Sequence, residues 1–152
     1  MNEAYKQGRA SSLRTGAAAL DEAADPIVVL SVDQPRPREA HRRLLAAHRE
    51  SGALITVPVS DGKRGHPVVL AGALLGELRN ASEESAGLRG VIEAHASDVH
   101  ELPFVMLAHE SMASAPDLTT LMVLIDINTP EEYEDARALF GVGNGPLPRP
   151  LP

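Results

Sequence analysis

The sequence predicts an α/β domain, a mostly parallel sheet with helices on both faces. Three observations lead there: short β-branched apolar runs, segments of helical period lying between them, and aspartates closing two of the runs. A length of 152 residues fits one domain. A domain of that size buries roughly 68–70% of its unfolded surface, so a core forms without staples. The chain has no cysteine, which excludes disulfides, zinc–thiolate sites and thiol nucleophiles.

The first helix is expected over Ser11–Leu20, with a serine as cap and an alanine-rich run behind it. Pro26–Val32 is a β-branched run of the kind buried on both sheet faces, and it stops at Asp33-Gln34-Pro35. From Arg38 to Ser51 Leu44, Leu45 and Ala47 fall at helical spacing, and Gly52 is the stop. A second strand, Ala53–Val59, is followed by the turn pair Asp61-Gly62 and by Pro67–Leu70. That pattern predicts a β-ribbon with Lys63 and Arg64 at its tip. Helices are expected at 71–79 and 84–95, a strand at 99–105, a loop at 108–119, and a buried strand Leu121–Ile125 ending at Asp126. Thr129-Pro130-Glu131-Glu132 supplies an N-cap Thr, a first-position Pro and a third-position Glu, a capping box opening a helix that runs to Phe140. Residues 141–152 are rich in Gly and Pro and are expected to form a disordered tail.

Charge narrows the function. The net charge of −7, from 21 acidic against 14 basic residues, leaves no basic face of the kind that nucleic acid needs. Arg36-Pro37-Arg38 with Arg42-Arg43 reads as a solvated helix edge, and with 3% aromatic residues there is little to stack bases on. No apolar stretch approaches the ~20 residues of a membrane span, and the first eight residues lack a signal core, so a cytoplasmic protein is expected.

Asp33 and Asp126 carry the chemistry. In open parallel sheets the ligand crevice lies at the carboxyl ends of the strands, and each of these aspartates ends a predicted buried strand. Two carboxylates with waters and a phosphate oxygen suit Mg²⁺. Taken singly, an aspartate at a strand end is more often a turn or cap residue. Among the histidines, His41 and His48 lie on one helix face beside basic neighbours and read as solvated, and His95 and His100 make no ligand spacing. His66 is the one histidine with a candidate role, against the simpler reading of a turn residue.

Three motifs stand in order: Ser31-Val32-Asp33-Gln34-Pro35, Gly62-Lys63-Arg64-Gly65-His66-Pro67 and Asp126-Ile127-Asn128-Thr129-Pro130-Glu131-Glu132. They resemble the signatures of the molybdenum-cofactor nucleotidyltransferases, the cytidylyl- and guanylyltransferases that attach CMP or GMP to molybdopterin. The segment Gly8-Arg9-Ala10-Ser11-Ser12-Leu13-Arg14-Thr15-Gly16 resembles that family's Ser-containing helix start, where the serine lies against the base. Glu84-Ser85-Ala86-Gly87-Leu88-Arg89 keeps the Gly and Arg of a further family segment but lacks its Asp, and Asn128 stands where the cytidylyl branch has a second acidic residue. The resemblance spans residues 8–140.

What the resemblance implies is a three-layer Rossmann-like nucleotidyltransferase sheet over residues 1–140 without the family's first β-loop-α unit. Asp33 and Asp126 would hold Mg²⁺ and act in catalysis. Ser12, Arg9 and Asp33 would face a CTP or GTP, and Lys63, His66 and Asn128 a molybdopterin-like acceptor. The absent unit carries a loop resembling Leu-Ala-Ala-Gly-x-Ser-x-Arg-Met-Gly-x-x-Lys, whose N–H groups wrap the triphosphate. Gly141-Val142-Gly143-Asn144-Gly145 has no helix behind it and is no substitute. Without that loop catalysis by this chain alone is in doubt. Two further expectations stand beside it: a non-catalytic module that forms a homodimer through the sheet edge left open, and a natural start upstream of Met1.

Overall fold

The computed structural model describes residues 2–60, 62–107, 121–123 and 127–139. Helix α1 (Arg9–Ala18) leads to strand β1 (Ile27–Val29), then helix α2 (Arg38–Ser51). Strand β2 (Ile55–Ser60) turns back through β3 (Lys63–Arg64) and β4 (Val68–Leu70), the predicted ribbon. Helices α3 (Leu75–Asn80) and α4 (Gly87–Ala94) precede β5 (Val99–Pro103), β6 (Val105–Leu107), β7 (Leu121–Val123) and α5 (Pro130–Leu139). The expected loop at 108–119, the end of the last strand with Asp126, and the tail at 141–152 lie outside the described residues. No described helix is long and apolar enough to cross a membrane.

The α/β class stands, on a mixed sheet. β4 lies between β1 and β2 and pairs antiparallel with both, while β5 pairs parallel with the other side of β2. β1, β2 and β5 therefore point the same way, with the ribbon's return strand inserted among them. β6 and β7 form a separate parallel pair. The ribbon changes register within itself. Val59 faces Arg64, yet Ile55 faces Leu70, so the return strand carries two extra residues around Gly65-His66-Pro67. Such an insertion bends a strand and re-aims its side chains.

Strand alternation sorts the core into two layers. Ile27, Ile55, Val57, Val68 and Leu70 face α1, α3 and α4 and pack on Ala17, Leu74, Leu75, Leu78 and Val91. Val69, one residue out of phase, faces the opposite side and packs with Ala40 and Leu44 of α2 and with Phe104. Each fully buried Leu, Ile or Val contributes about 1.5–3 kcal/mol, and Leu44, Ile55 and Leu70 are all fully buried. β1 departs from the expectation of burial on both faces. Its α2-side residue Val28 is 37% exposed, and among the described residues β1 pairs only with β4.

α2 has the bounds its sequence predicts, closed by Gly52 in the left-handed conformation at φ +64°. Its amphipathic face differs from the prediction. Ala40, Leu44 and His48 recur every fourth residue and form the buried stripe, so His48 is not solvated. The basic run is corrected in the same way. Arg38 and Arg42 are exposed, but Arg36 is buried and Arg43 stacks over the Phe104 ring at 4.7 Å.

The cap of α1 is also not a serine. The helix begins after Gly8, whose φ of +115° excludes most side chains, and Ser11 lies within the first turn with its hydroxyl turned to the carbonyls of Gly8 and Ala4. The Glu83 carboxylate, brought in from the α3–α4 connection, accepts the Ala10 N–H at 2.6 Å. A carboxylate at a helix N-terminus meets both the free N–H and the positive end of the dipole, so it outcompetes a hydroxyl. A Cβ on Gly8 would overlap that carboxylate.

Candidate active site at the carboxyl rim

The shared direction of β1, β2 and β5 places their carboxyl ends on one rim, where the Asp33 loop and the ribbon meet. Beyond Val29 the chain passes through Leu30 and Ser31 into a tight turn, closed by the Gln34 N–H donating to the Ser31 carbonyl at 3.1 Å. Asp33 sits in that turn, half-buried. Val32 beside it is fully exposed, unusual for so apolar a side chain. Among the described residues the Asp33 carboxylate accepts no hydrogen bond. Its backbone carbonyl does: the Ile127 N–H donates to it at 2.7 Å.

That bond draws the start of the last motif onto the Asp33 loop. Ile127 follows directly on Asp126, which lies outside the described residues. α5 then opens with the predicted capping box. Thr129 Oγ1 accepts the Glu132 N–H at 3.2 Å, and Glu132 Oε2 accepts the N–H groups of Thr129 and Asn128 at 2.9 and 2.7 Å. Because Glu132 already fills those donors, the helix start is not a vacant anion site, and Asn128 presents an exposed side chain at the same place.

The ribbon reaches this rim from the other side. Val68 pairs with Val29, so His66 and Pro67 lie just past the end of β1, alongside the segment leading to Asp33. The His66–Pro67 bond is cis, Pro67 is fully buried, and His66 Nδ1 is buried without a hydrogen-bond partner among the described residues. Lys63 is exposed near the ribbon tip. Its neighbour Arg64 is held by Glu101 at 2.8 Å.

Ser12 and Arg9 stand apart from these groups. Both are exposed on the first turns of α1, and Ser12 Oγ accepts the side-chain amide of Asn2 at 3.0 Å. Arg89, from the partly matching segment, pairs with Glu93 one turn along α4 at 2.7 Å and points to solvent. So the fold gathers Asp33, His66, Ile127 and Asn128 at one rim, with Lys63 on the ribbon above it and Ser12 and Arg9 on another layer. No group of three or more His, Asp or Glu fit for a metal occurs among the described residues. A magnesium ion does not require one, because it is held by one or two carboxylates with waters and phosphate oxygens, and a half-buried Asp33 carboxylate that accepts no hydrogen bond among the described residues suits that donor set.

The family profile of the MobA-like NTP transferase domain matches residues 1–99. The chain belongs to this family. The matched stretch of this MobA-like chain contains the Asp33 loop and the whole ribbon, and ends before the motif that opens α5. No curated protein sequence matches. Among solved structures, a homologue of Mycobacterium tuberculosis Rv0371c from Mycobacterium sp. strain JC1 is similar at 23% identity and a TM-score of 0.59, over 88% of this chain and 58% of that one. Rv0371c from M. tuberculosis H37Rv gives 24% and 0.58, over 89% and 60%. The same protein in complex with manganese gives 21% and 0.54, over 86% and 59%. At these identities the likeness is one of fold. The MobA-like chain spans about three-fifths of the length of those structures.

Sequence reading overlooked Arg36. The residue is only 8% exposed, and its guanidinium donates to the Pro35 carbonyl at 3.0 Å and to Gln34 Oε1 at 3.3 Å, the two residues after Asp33. Neighbouring arginines that do face solvent concealed it in the sequence. The available signal was its position within the Asp33 loop, before the proline that starts α2.

Proposed function

We propose that this chain binds a nucleoside triphosphate with a divalent cation at the carboxyl rim and takes part in nucleotidyl transfer. In the finer form of the reading, CMP or GMP from CTP or GTP passes to the terminal phosphate of a molybdopterin-like acceptor, in the cytoplasm. The observation that carries it is the 2.7 Å hydrogen bond from Ile127 to the Asp33 carbonyl, which brings together two motifs far apart in sequence. Family membership and the order of the three motifs support the same reading.

The chemistry asks little covalent work of the protein. An acceptor oxygen attacks the α-phosphorus in line, pyrophosphate leaves, and the rate depends on alignment and on neutralising the phosphate charge. Asp33 and Asp126 would hold the ion, Mg²⁺ in our reading, and it would supply that neutralisation. The manganese complex of Rv0371c supports a divalent cation in this fold. In this reading Ser12 and Arg9 face the nucleotide from the first turns of α1, on the layer beside the rim, and His66, Lys63 and Asn128 face the acceptor. The rim contributes, in this reading, carboxylates and acceptor contacts to that reaction.

Calorimetry with CTP and GTP, each with Mg²⁺ or Mn²⁺, tests the reading. Metal-dependent heat that Asp33→Asn abolishes is the expected result. No heat with either nucleotide at millimolar concentration removes it.

The open edge of β1 favours a second reading, a non-catalytic module that pairs with another copy of itself. Val28, Leu30 and Val32 are exposed along this strand and its extension, beside an edge unpaired among the described residues. Light scattering decides it: a dimer is expected, and a monomer at every concentration rules the pairing out.

A further inference from the structure

We infer that Arg36 is the positioning residue of this site, a buried brace that fixes the loop presenting Asp33. The inference rests on the nucleotide reading for its purpose and on geometry for its substance. A guanidinium is costly to bury unless hydrogen bonds hold it, yet the Arg36 side chain folds inward while Arg38 and Arg42 nearby lie in solvent. It folds back on its own loop, to Gln34 Oε1 and the Pro35 carbonyl. The planar fork suits this task, because it can reach two acceptors in fixed geometry where an ammonium is a single point.

These contacts complete a set. Ser31 accepts from Gln34, Asp33 accepts from Ile127, and Gln34 and Pro35 accept from Arg36, so the loop is tied along its length by main-chain and side-chain bonds. The Asp33 carboxylate stands outside the set among the described residues. A carboxylate presented by a braced loop keeps its position when a cation arrives, which lowers the ordering cost of binding. The guanidinium also places a positive charge behind a rim that receives a polyanion.

Hydrogen exchange on the full chain tests the brace without any ligand. Arg36→Met is expected to speed exchange of the Ile127 amide on the order of tenfold, with the Ile55 amide in the sheet core unchanged. Arg36→Lys restores part of that protection, since it reaches one acceptor and not both. Unchanged exchange at Ile127 overturns the inference, and so does an equal loosening of Ile127 and Ile55, which marks a general loss of stability. Should Arg36→Met fail to fold, Arg36→Lys against wild type gives the same comparison. Nucleotide affinity is measured on the same variants, with about tenfold weaker binding of Mg²⁺–CTP or Mg²⁺–GTP expected for Arg36→Met. Full affinity in that variant overturns the positioning role. Selective loosening at Ile127 in a protein whose wild type binds neither nucleotide upholds the brace and removes the nucleotide reading.

Discussion

The two rims of the sheet handle their polar groups in opposite ways. At the amino rim the groups satisfy one another. His48 Nδ1 lies 3.0 Å from Thr56 Oγ1, which is fully buried, and the Asp25 carboxylate accepts the Gly72 N–H at 2.7 Å. The Ala71 N–H, beside them, donates to the Leu54 carbonyl at 2.8 Å. What remains open there is a shallow cleft of about 340 Å³ bordered by Asp25, His48 and Arg49. At the carboxyl rim the bonds go to the backbone of the Asp33 loop instead, and the Asp33 carboxylate and His66 Nδ1 have no partner among the described residues. The contrast separates groups that hold the fold from groups that, on the proposed nucleotide reading, are left for a ligand.

Five substitutions sharpen or break this contrast. The core sets the upper scale: Leu44→Ala, which removes a fully buried side chain between α2 and the sheet, is expected to lower unfolding stability by about 2–5 kcal/mol in urea titration. At the amino rim, His48→Ala strands the buried Thr56 hydroxyl and is expected to cost about 1–3 kcal/mol by the same measurement.

His48 also predicts a pH dependence. Burial holds its pKa below the ordinary 6.5, against the opposing pull of Asp25, while the neighbouring Arg49 and His100 act in the same direction as burial. The unfolded chain therefore takes up the proton first as pH falls. The stability contributed by His48 is whole above 6.5 and declines as the pH drops from there through the lower folded value. Thermal melts from neutral to mildly acidic pH should show that decline in wild type and a flatter profile in His48→Asn.

At the carboxyl rim the capping box is worth less. Thr129→Ala is expected to cost about 1 kcal/mol, read as earlier fraying of α5 in hydrogen exchange. The smallest effect on stability decides most. Asp33→Asn should leave unfolding free energy within about 0.5 kcal/mol of wild type while abolishing metal-dependent nucleotide binding. A large stability loss there would make Asp33 a structural residue and erase the difference between the rims.

How much could be read beforehand varied with the range of the interaction. The bounds of α2, the stop at Gly52, the ribbon and the capping box at Thr129 were legible because each is fixed by residues within a few positions of one another. The cap of α1 was not, because its acceptor comes from Glu83, far along the chain. The burial of His48 and Arg36 was missed for a related reason: local composition around both is basic and polar, and only the packing of α2 and of the Asp33 loop sets which side faces inward. The signal for His48 was present in the four-residue spacing from Ala40 through Leu44.

By itself the sequence determined the α/β class, the order of its elements and the motifs that mark the family. Propensity, capping and strand alternation act between near neighbours, so they survive in a linear reading. The tertiary structure decided that Asp33 and the α5 motif meet through Ile127, that Arg36 folds back onto the Asp33 loop, and that Val28 of β1 is exposed. Those are contacts between distant segments, and a contact of that kind exists only once the chain has closed around its sheet.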